Sequence, residues 1–326
     1  MIGCPKAGFI TVVFTGLIFC AVTGSGIAAE PGAQKAVLVT GASSGIGRNI
    51  AERLASEGYF VYAGARKEQD LRALSEIDNM QGVRLDVTIQ SDIDTAVKTV
   101  EDGGRGLWGV VNNAGVVVMG PLAEMEESEL EFLFDVNVYG PYRIVKAFAP
   151  LIVESKGRIT NISSLAGITS PSAYGAYSMS KHAVEAFTDS LAIEMGMVGV
   201  HVSAVAPGGF NSNIVAAHCE RRRNQGNDPG DSLFPELAAE LAAVCADDDY
   251  YQLPEPDPVA DAVLHALFSD NPKARYLAPS DPRQPEFILR NILNDLAVLS
   301  HGVSYGFSRE ELVDLLDEAL APSEQD

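Results

Sequence analysis

The chain has 326 residues, 47% hydrophobic and 21% charged, and a formal net charge of −21. That length and apolar fraction suit one large α/β domain or two small ones with ample core. So acidic a surface repels phosphate backbones and anionic lipid heads, which argues against nucleic-acid binding and obliges any anionic ligand to find its own local cation. Four cysteines are present, Cys4, Cys20, Cys219 and Cys245, with no Cys-x-x-Cys motif and no Cys/His cluster, so no structural metal is expected. Whether Cys219 and Cys245 pair is open without geometry.

Residues 1–30 read as a targeting segment. Lys6 precedes an apolar run, Phe9 to Val22, and small residues follow up to Ala28-Ala29. The pattern fits a signal peptide cleaved near Ala28 or Ala29. An uncleaved membrane anchor is the alternative, although the run falls short of the ~20 residues a spanning helix needs. Either way the protein is expected to be exported or membrane-associated, an anchored form being able to face the cytosol. The segment is left out of the fold.

The globular domain opens at Lys35. Ala36-Val-Leu-Val-Thr40 is a short apolar run of the kind that forms a buried parallel strand. Gly41-Ala-Ser43-Ser44-Gly45-Ile46-Gly47 follows, and then Ile50, Ala51, Leu54 and Ala55 recur at helical spacing. Strand, glycine turn and helix together make a dinucleotide-binding context. The glycines permit close backbone approach, and the helix N-terminus faces a pyrophosphate. Phe60 to Gly64 forms a second strand, followed by Ala65 and Arg66 where an NAD-binding loop would carry a carboxylate. An arginine there pairs with the 2′-phosphate of NADP, so NADP(H) is favoured and NAD(H) is the alternative.

Val83 to Val87 reads as a third strand. Asp86 at its edge either accepts a bond from an adenine amino group or serves a turn. Trp108 to Val111 is a fourth strand, running into Asn112-Asn113-Ala114-Gly115. A long helical stretch from about Glu126 to Ile152 contains Asn137, a poor helix-interior residue that marks a local break. Arg158 to Ile162 is a fifth strand leading into Ser163-Ser164. Tyr177 and Lys181 follow, four apart and hence on one helix face. An ammonium near a phenol favours the phenolate. Lowering a phenol from about 10 to near neutrality asks roughly 3–4 kcal/mol. Val200 to Val205 is a sixth strand closing with Pro207-Gly208, and Tyr276 to Ala278 adds a last one.

Together, Thr40-Gly-x-x-x-Gly-x-Gly47, Asn112-Asn-Ala-Gly115, Asn137, Ser164, Tyr177-x-x-x-Lys181 and Pro207-Gly208 resemble the short-chain dehydrogenase/reductase family over about Lys35 to Ser212. Gly106 to Gly115, Glu185 to Leu191 and Arg275-Tyr276 look like the branch holding retinol, hydroxysteroid and 3-hydroxybutyrate dehydrogenases. The resemblance implies a single doubly wound α/β Rossmann domain, with a parallel sheet of about seven strands and helices on both faces. It further implies an NAD(P)-dependent alcohol/carbonyl oxidoreductase. In that scheme Ser164 polarises the substrate oxygen, and Tyr177 exchanges a proton with it. Lys181 lowers the tyrosine pKa and binds the nicotinamide ribose, and Asn137 holds a water. The cofactor would lie along Gly41, Ser43, Ser44, Gly45, Ile46, Gly47, Arg66, Asp86, Val87, Asn113, Ala114, Gly115, Pro207, Gly208 and Ser212. Ser163 is expected to be structural.

The catalytic domain is placed at 35–280. Within it a substrate lid at about 213–258 is expected, lined by Ile214, Leu233, Phe234, Leu237, Leu241 and Val244. Arg221-Arg-Arg223 reads as a solvated helix face. Residues 281–326 form a helical extension, with amphipathic helices at about Phe287–Leu299 and Glu310–Leu320. The first offers a face to a membrane or a second subunit. A homodimer or homotetramer is the expected assembly, with a small alcohol or carbonyl compound as substrate. Two other classes compete: a non-catalytic NADP(H)-binding sensor or assembly protein on the same fold, and an epimerase or dehydratase.

Overall fold

A computed structural model describes residues 34–225, 232–246, 253–300 and 306–321. The expected targeting segment, with Cys4 and Cys20, lies outside the described residues. Seven strands form one parallel sheet: β1 (Ala36–Val39), β2 (Phe60–Ala65), β3 (Met80–Arg84), β4 (Gly109–Asn112), β5 (Arg158–Ile162), β6 (His201–Pro207) and β7 (Arg275–Ala278). Their spatial order is β3-β2-β1-β4-β5-β6-β7, and every neighbouring pair is parallel.

The strands are short, apolar runs because both of their faces are covered. The two-residue period shows this directly. Val37 and Val39 of β1, with Val61, Ala63 and Ala65 of β2, enter one core; Ala36, Leu38, Phe60 and Tyr62 enter the other. The first core is closed by α1 (Gly45–Ser56) through Ile50 and Leu54, by α2 (Glu68–Ser75) through Leu74, and by α9 (Asp257–Phe268) through Val259 and Val263. The second is closed by α3 (Gln90–Asp102), α5 (Gly140–Ser155) and α6 (Gly175–Gly196), through Ile93, Ile144, Phe148 and Leu191.

One boundary differs from expectation, and one expected break takes a definite form. The third strand runs Met80–Arg84 and stops before Asp86. The Asp86 N–H turns out of the sheet to the Asp92 carboxylate at 3.1 Å, and Asp86 Oδ1 accepts bonds from Thr88 N at 3.0 Å and Thr88 Oγ1 at 2.7 Å. The long helical stretch is split into α4 (Glu127–Phe134) and α5 by a π-helical turn at Asp135–Tyr139. Asn137 sits inside that turn. Such turns are rare and concentrate at functional sites.

Beyond β6, α7 (Ile214–Gln225) and α8 (Pro235–Ala246) cover the C-terminal edge of the sheet and are tied by a Cys219–Cys245 disulfide. After β7 come α10 (Gln284–Ser300) and α11 (Arg309–Leu320). α10 buries Ile288 and leaves Phe287, Leu289, Ile292, Leu293 and Leu296 exposed. Ser308 and Glu311 form a reciprocal capping box at the start of α11. Among the described residues no helix is long and apolar enough to cross a membrane.

The disulfide closes a loop across 26 residues of sequence. Loop-closure entropy of that size is worth about 3.5 kcal/mol in the chain-entropy account. The double variant Cys219→Ser/Cys245→Ser should therefore lose amide-exchange protection in α7 and α8 before the sheet does. Mass-resolved hydrogen exchange checks this, and equal loss in the strands would contradict it.

Candidate active site

The strand order reverses between β1 and β4, which splays the loops leaving their C-terminal ends and opens a crevice there. The glycine loop lies on one side of it. Gly41 and Gly45 have φ of +66° and +54°, backbone that a side chain strains. A Cβ on Gly41 would stand 2.9 Å from Ala114 Cα, and one on Gly45 2.7 Å from Ser212 Cβ. These glycines let the β1 loop close against the loops after β4 and β6. Thr40 staples the first of these contacts. Its Oγ1 accepts from the N–H groups of Asn113 and Ala114, both at 3.0 Å. Asn113 Nδ2 returns bonds to Thr40 O at 2.9 Å and Gly41 O at 3.2 Å. Thr40 lay within the sequence motif, but nothing in its spacing marked this role.

The first turn of α1 carries no side-chain cap at Ser44 and no acidic residue. Its orphan N–H groups and positive dipole end thus face the crevice, which suits an anionic group such as a pyrophosphate. Gly41, Ser43, Ser44, Gly45, Ile46 and Gly47 line this end. Arg66 follows β2 directly, with its side chain 67% exposed and Nη1 3.8 Å from Asp86 Oδ2. Asp86 is thus engaged in the Thr88 turn and near Arg66 at once, while Val87 beside it packs under Gly140. Asn113, Ala114 and Gly115 leave β4; Pro207 and Gly208 leave β6, with Gly208 N bonded to Ala278 O at 2.9 Å. Ser212 completes the rim against Gly45. The loop geometry and the uncapped helix end fit a dinucleotide.

Deeper in the crevice, α6 presents Tyr177 and Lys181 one turn apart toward the end of β5. Ser164, just past β5, starts a turn of 3-10 helix and accepts Ala166 N at 3.1 Å. The Ser164 side chain lies close enough to the Tyr177 phenol to favour its ionised form. Lys181 is 5% exposed; its Nζ donates to Ile162 O at 2.9 Å and stands 5.7 Å from the centre of the Tyr177 ring. Gly115 faces both Asn137 Oδ1 and Lys181 Nζ, so the β4 loop, the π turn and α6 converge. Asn137 Oδ1 accepts Val116 N at 2.8 Å, and Nδ2 donates to Val116 O at 2.9 Å and Ser180 Oγ at 3.0 Å. Both amide hydrogens are taken, so a water at this residue has only the oxygen or the loosened backbone of the π turn to bond. Ser163 points elsewhere: it is buried, and its N–H continues the sheet ladder to Val205 O at 2.7 Å.

The electrostatics run against the simple expectation for the phenol. Burial pushes Tyr177 up to about 12, and the Ser164 side chain offsets only part of that. Burial also pulls Lys181 down to about 8, with the Glu185 carboxylate opposing. Tyr177 keeps a partly exposed edge, so solvent softens its penalty. The direction holds: in the protein by itself the phenol keeps its proton at neutral pH.

Around Tyr177 the walls are apolar. Val117, Met119 and Leu241 are buried, and Ala173, Tyr174, Ile214 and Val215 pack on them with the Tyr177 ring. Of the residues expected to line a lid, Ile214 and Leu241 join this cluster. Leu233 is 78% exposed and Phe234 is exposed too, because both precede α8 on the outer surface. Arg221 also departs from expectation. It is not a solvated face: Nη2 donates to Val117 O at 2.8 Å, and Nε lies 3.5 Å from Glu129 Oε2.

A profile described as short chain dehydrogenase matches residues 35–223. The chain belongs to this family. Among curated relatives of this short-chain dehydrogenase, mitochondrial D-beta-hydroxybutyrate dehydrogenase of Bos taurus is 35% identical, the match covering 76% of this chain and 77% of that one. Retinol dehydrogenase 7 of Rattus norvegicus is 34% identical over 81% of this chain and 88% of its own. A solved structure of a variant actinorhodin polyketide ketoreductase with NADPH superposes with a TM-score of 0.63 at 28% identity, covering 77% of this chain and 97% of that one.

Lys181 should titrate near pH 8 in the cofactor-free protein, charged below and neutral above. Glu185 holds that value up, so Glu185→Gln should move the midpoint lower. Isotope-labelled lysine NMR follows the transition. A Lys181 midpoint near that of free lysine, or an upward move in the variant, would contradict the burial argument.

Proposed function

We propose that this short-chain dehydrogenase interconverts a lipophilic secondary alcohol and its ketone, or a primary alcohol and its aldehyde, and prefers NADP(H). The observation that carries the reading is the meeting of Tyr177, Ser164 and Lys181 at the end of β5, opening into apolar walls. A phenol and a serine hydroxyl side by side can share one substrate oxygen. The apolar lining from Val117, Met119, Ile214 and Leu241 favours a substrate that is mostly hydrocarbon.

A bound nicotinamide cofactor supplies or accepts the hydride. This chain's residues do the rest. Ser164 bonds the substrate oxygen and polarises the carbonyl. Tyr177 gives a proton to that oxygen in reduction and takes it in oxidation. Lys181 places a positive charge below the phenol, and Asn137 braces the loop that holds Gly115 beside Lys181. Gly41, Ser43, Ser44, Gly45, Ile46 and Gly47 would hold the pyrophosphate, and Asp86 and Val87 the adenine. Asn113, Ala114 and Gly115 would line the ribose path, Tyr177 and Lys181 the nicotinamide ribose, and Pro207, Gly208 and Ser212 the carboxamide. Arg66 would pair with a 2′-phosphate; it is exposed and held by one long ion pair, which costs little to break.

The two directions make different demands. A protonated phenol is already the acid that reduction needs. Oxidation needs the phenolate, and bringing Tyr177 from about 12 to neutrality asks roughly 7 kcal/mol of Lys181, the cofactor cation and the substrate together.

A fluorescence titration with NADPH and NADH, followed by a turnover screen over ketones, aldehydes and alcohols, tests the reading; indifference to both cofactors would end it. Tyr177→Phe should cut turnover by about 10²- to 10⁴-fold and leave cofactor affinity near wild type. A variant that kept its rate would remove Tyr177 from the chemistry. Arg66→Ala should weaken NADPH binding about ten-fold or more and NADH binding little, the scale of a lost charge-assisted bond. Equal losses would remove the preference for NADP(H).

A further inference from the structure

Helix α7 covers the cleft on the side of Tyr177. In its first turn Ile214 and Val215 pack on Val117, Met119 and Leu241, in the cluster that also takes the Tyr177 ring. His218 follows Ile214 by four and Val215 by three, so it lies on the same helix face. It is 1% exposed. Arg221, three further on, is fixed from three sides: by Val117 O at 2.8 Å, by Glu129 Oε2 at 3.5 Å and by the Phe132 ring 4.8 Å from its guanidinium carbon.

That fixed guanidinium decides how His218 is protonated. Arg221 Nη2 stands 3.4 Å from His218 Nδ1. A guanidinium only donates, so Nδ1 is the acceptor and the neutral ring carries its hydrogen on Nε2. Burial first, then Arg221 and Arg222, hold the ring neutral by pulling its pKa down to about 4. The Nε2–H group is buried and finds no hydrogen-bond partner among the described residues. A buried donor left unpaired costs about 1–3 kcal/mol, so such groups are few and call for an explanation. The cluster on this face of α7 is built from aliphatic side chains, Met119 and the rings of Tyr174 and Tyr177, and none of them is a hydrogen-bond partner of Nε2.

We propose that His218 is a substrate-recognising donor, whose Nε2–H bonds a second oxygen of the substrate, remote from the carbon that reacts. This rests on the oxidoreductase reading above and narrows it. The preferred substrates are lipophilic ketones or alcohols that carry a further acceptor oxygen, as a second carbonyl or as a carboxylate. Arg221 is paired with Glu129, so an uncharged carbonyl suffices and a carboxylate is the other source of the same acceptor.

The test pairs compounds that differ only in that oxygen: a saturated steroid monoketone against the diketone of the same skeleton, and a medium-chain methyl ketone against the matching keto acid. The wild-type full-length chain should favour the dioxygenated member of at least one pair by about ten-fold or more in kcat/KM, and the pair that responds identifies the oxygen. His218→Leu should abolish the preference through KM, leaving kcat and the monoketone unchanged. His218→Gln, which keeps a donor, should retain part of it. Circular dichroism confirms that both variants fold. Calorimetric binding of the same four compounds reads the preference without turnover. A chain that turns over nothing but still discriminates in binding through His218 would defeat the oxidoreductase reading alone. Equal handling of both members of each pair by the wild type, or a preference that survives His218→Leu, would overturn the assignment of His218.

Discussion

The arrangement depends on one hydrogen bond, from Lys181 Nζ to the carbonyl of Ile162. Ile162 is the last residue of β5, and Lys181 is one turn along α6 from Tyr177. The bond therefore fixes the distance between a strand end and a helix face. Ser164 stands two residues beyond Ile162 on the strand side, and Tyr177 four before Lys181 on the helix side. Holding the lysine to the carbonyl brings the two hydroxyls together. The bond is buried, so breaking it would leave an ammonium without a partner, which is costly in a low-dielectric interior. Packing supports the same register: Gly167 sits against the Lys181 carbonyl and the Ser163 hydroxyl, where a side chain would wedge α6 away.

Much of this was legible in the chain itself. A strand buried on both faces has a short apolar run as its signature, and such runs coincide with β1, β2, β4, β5 and β6 to within a residue or two. The glycine turn, the four-residue spacing of Tyr177 and Lys181, and the awkward Asn137 each carried a local physical reason. What was not legible depended on partners distant in sequence. Asp86 reads as strand because its neighbours are apolar; Asp92, on α3, draws it out. Arg221 looked like one of three solvated arginines, and no local pattern shows that Val117, Glu129 and Phe132 surround it. Leu233 and Phe234 are apolar and were expected to line the lid, yet the turn into α8 leaves them outside. Residues near a chain reversal cannot be assigned an inner or outer face by periodicity, because the period is lost there.

The phenol is where magnitude matters most. From the sequence, a neighbouring ammonium and a pKa near 10 set a modest task of roughly 3–4 kcal/mol. The structure adds burial, which raises Tyr177 and lowers Lys181 together. Both groups move toward their neutral forms, as desolvation requires. The lysine thus weakens as a charge in the same environment that makes the phenol harder to ionise. Proximity of the two residues is not by itself activation.

Glu185 and Arg275 bear on the same balance. Glu185 lies one turn beyond Lys181 on α6 and is buried. Left to itself, a buried carboxylate at that spacing would be the natural partner of the ammonium, drawing it down the helix and away from the phenol. Arg275 of β7 takes it instead, with Nη2 2.7 Å from Glu185 Oε2, and Asp189 adds a second contact at 3.0 Å. The carboxylate still acts on Lys181 through space and opposes the loss of its charge. It does not bond the ammonium. The lysine keeps a neutral carbonyl as its hydrogen-bond partner, so its charge is left unneutralised at the place where a phenolate, or the oxygen of a substrate, has most use for it.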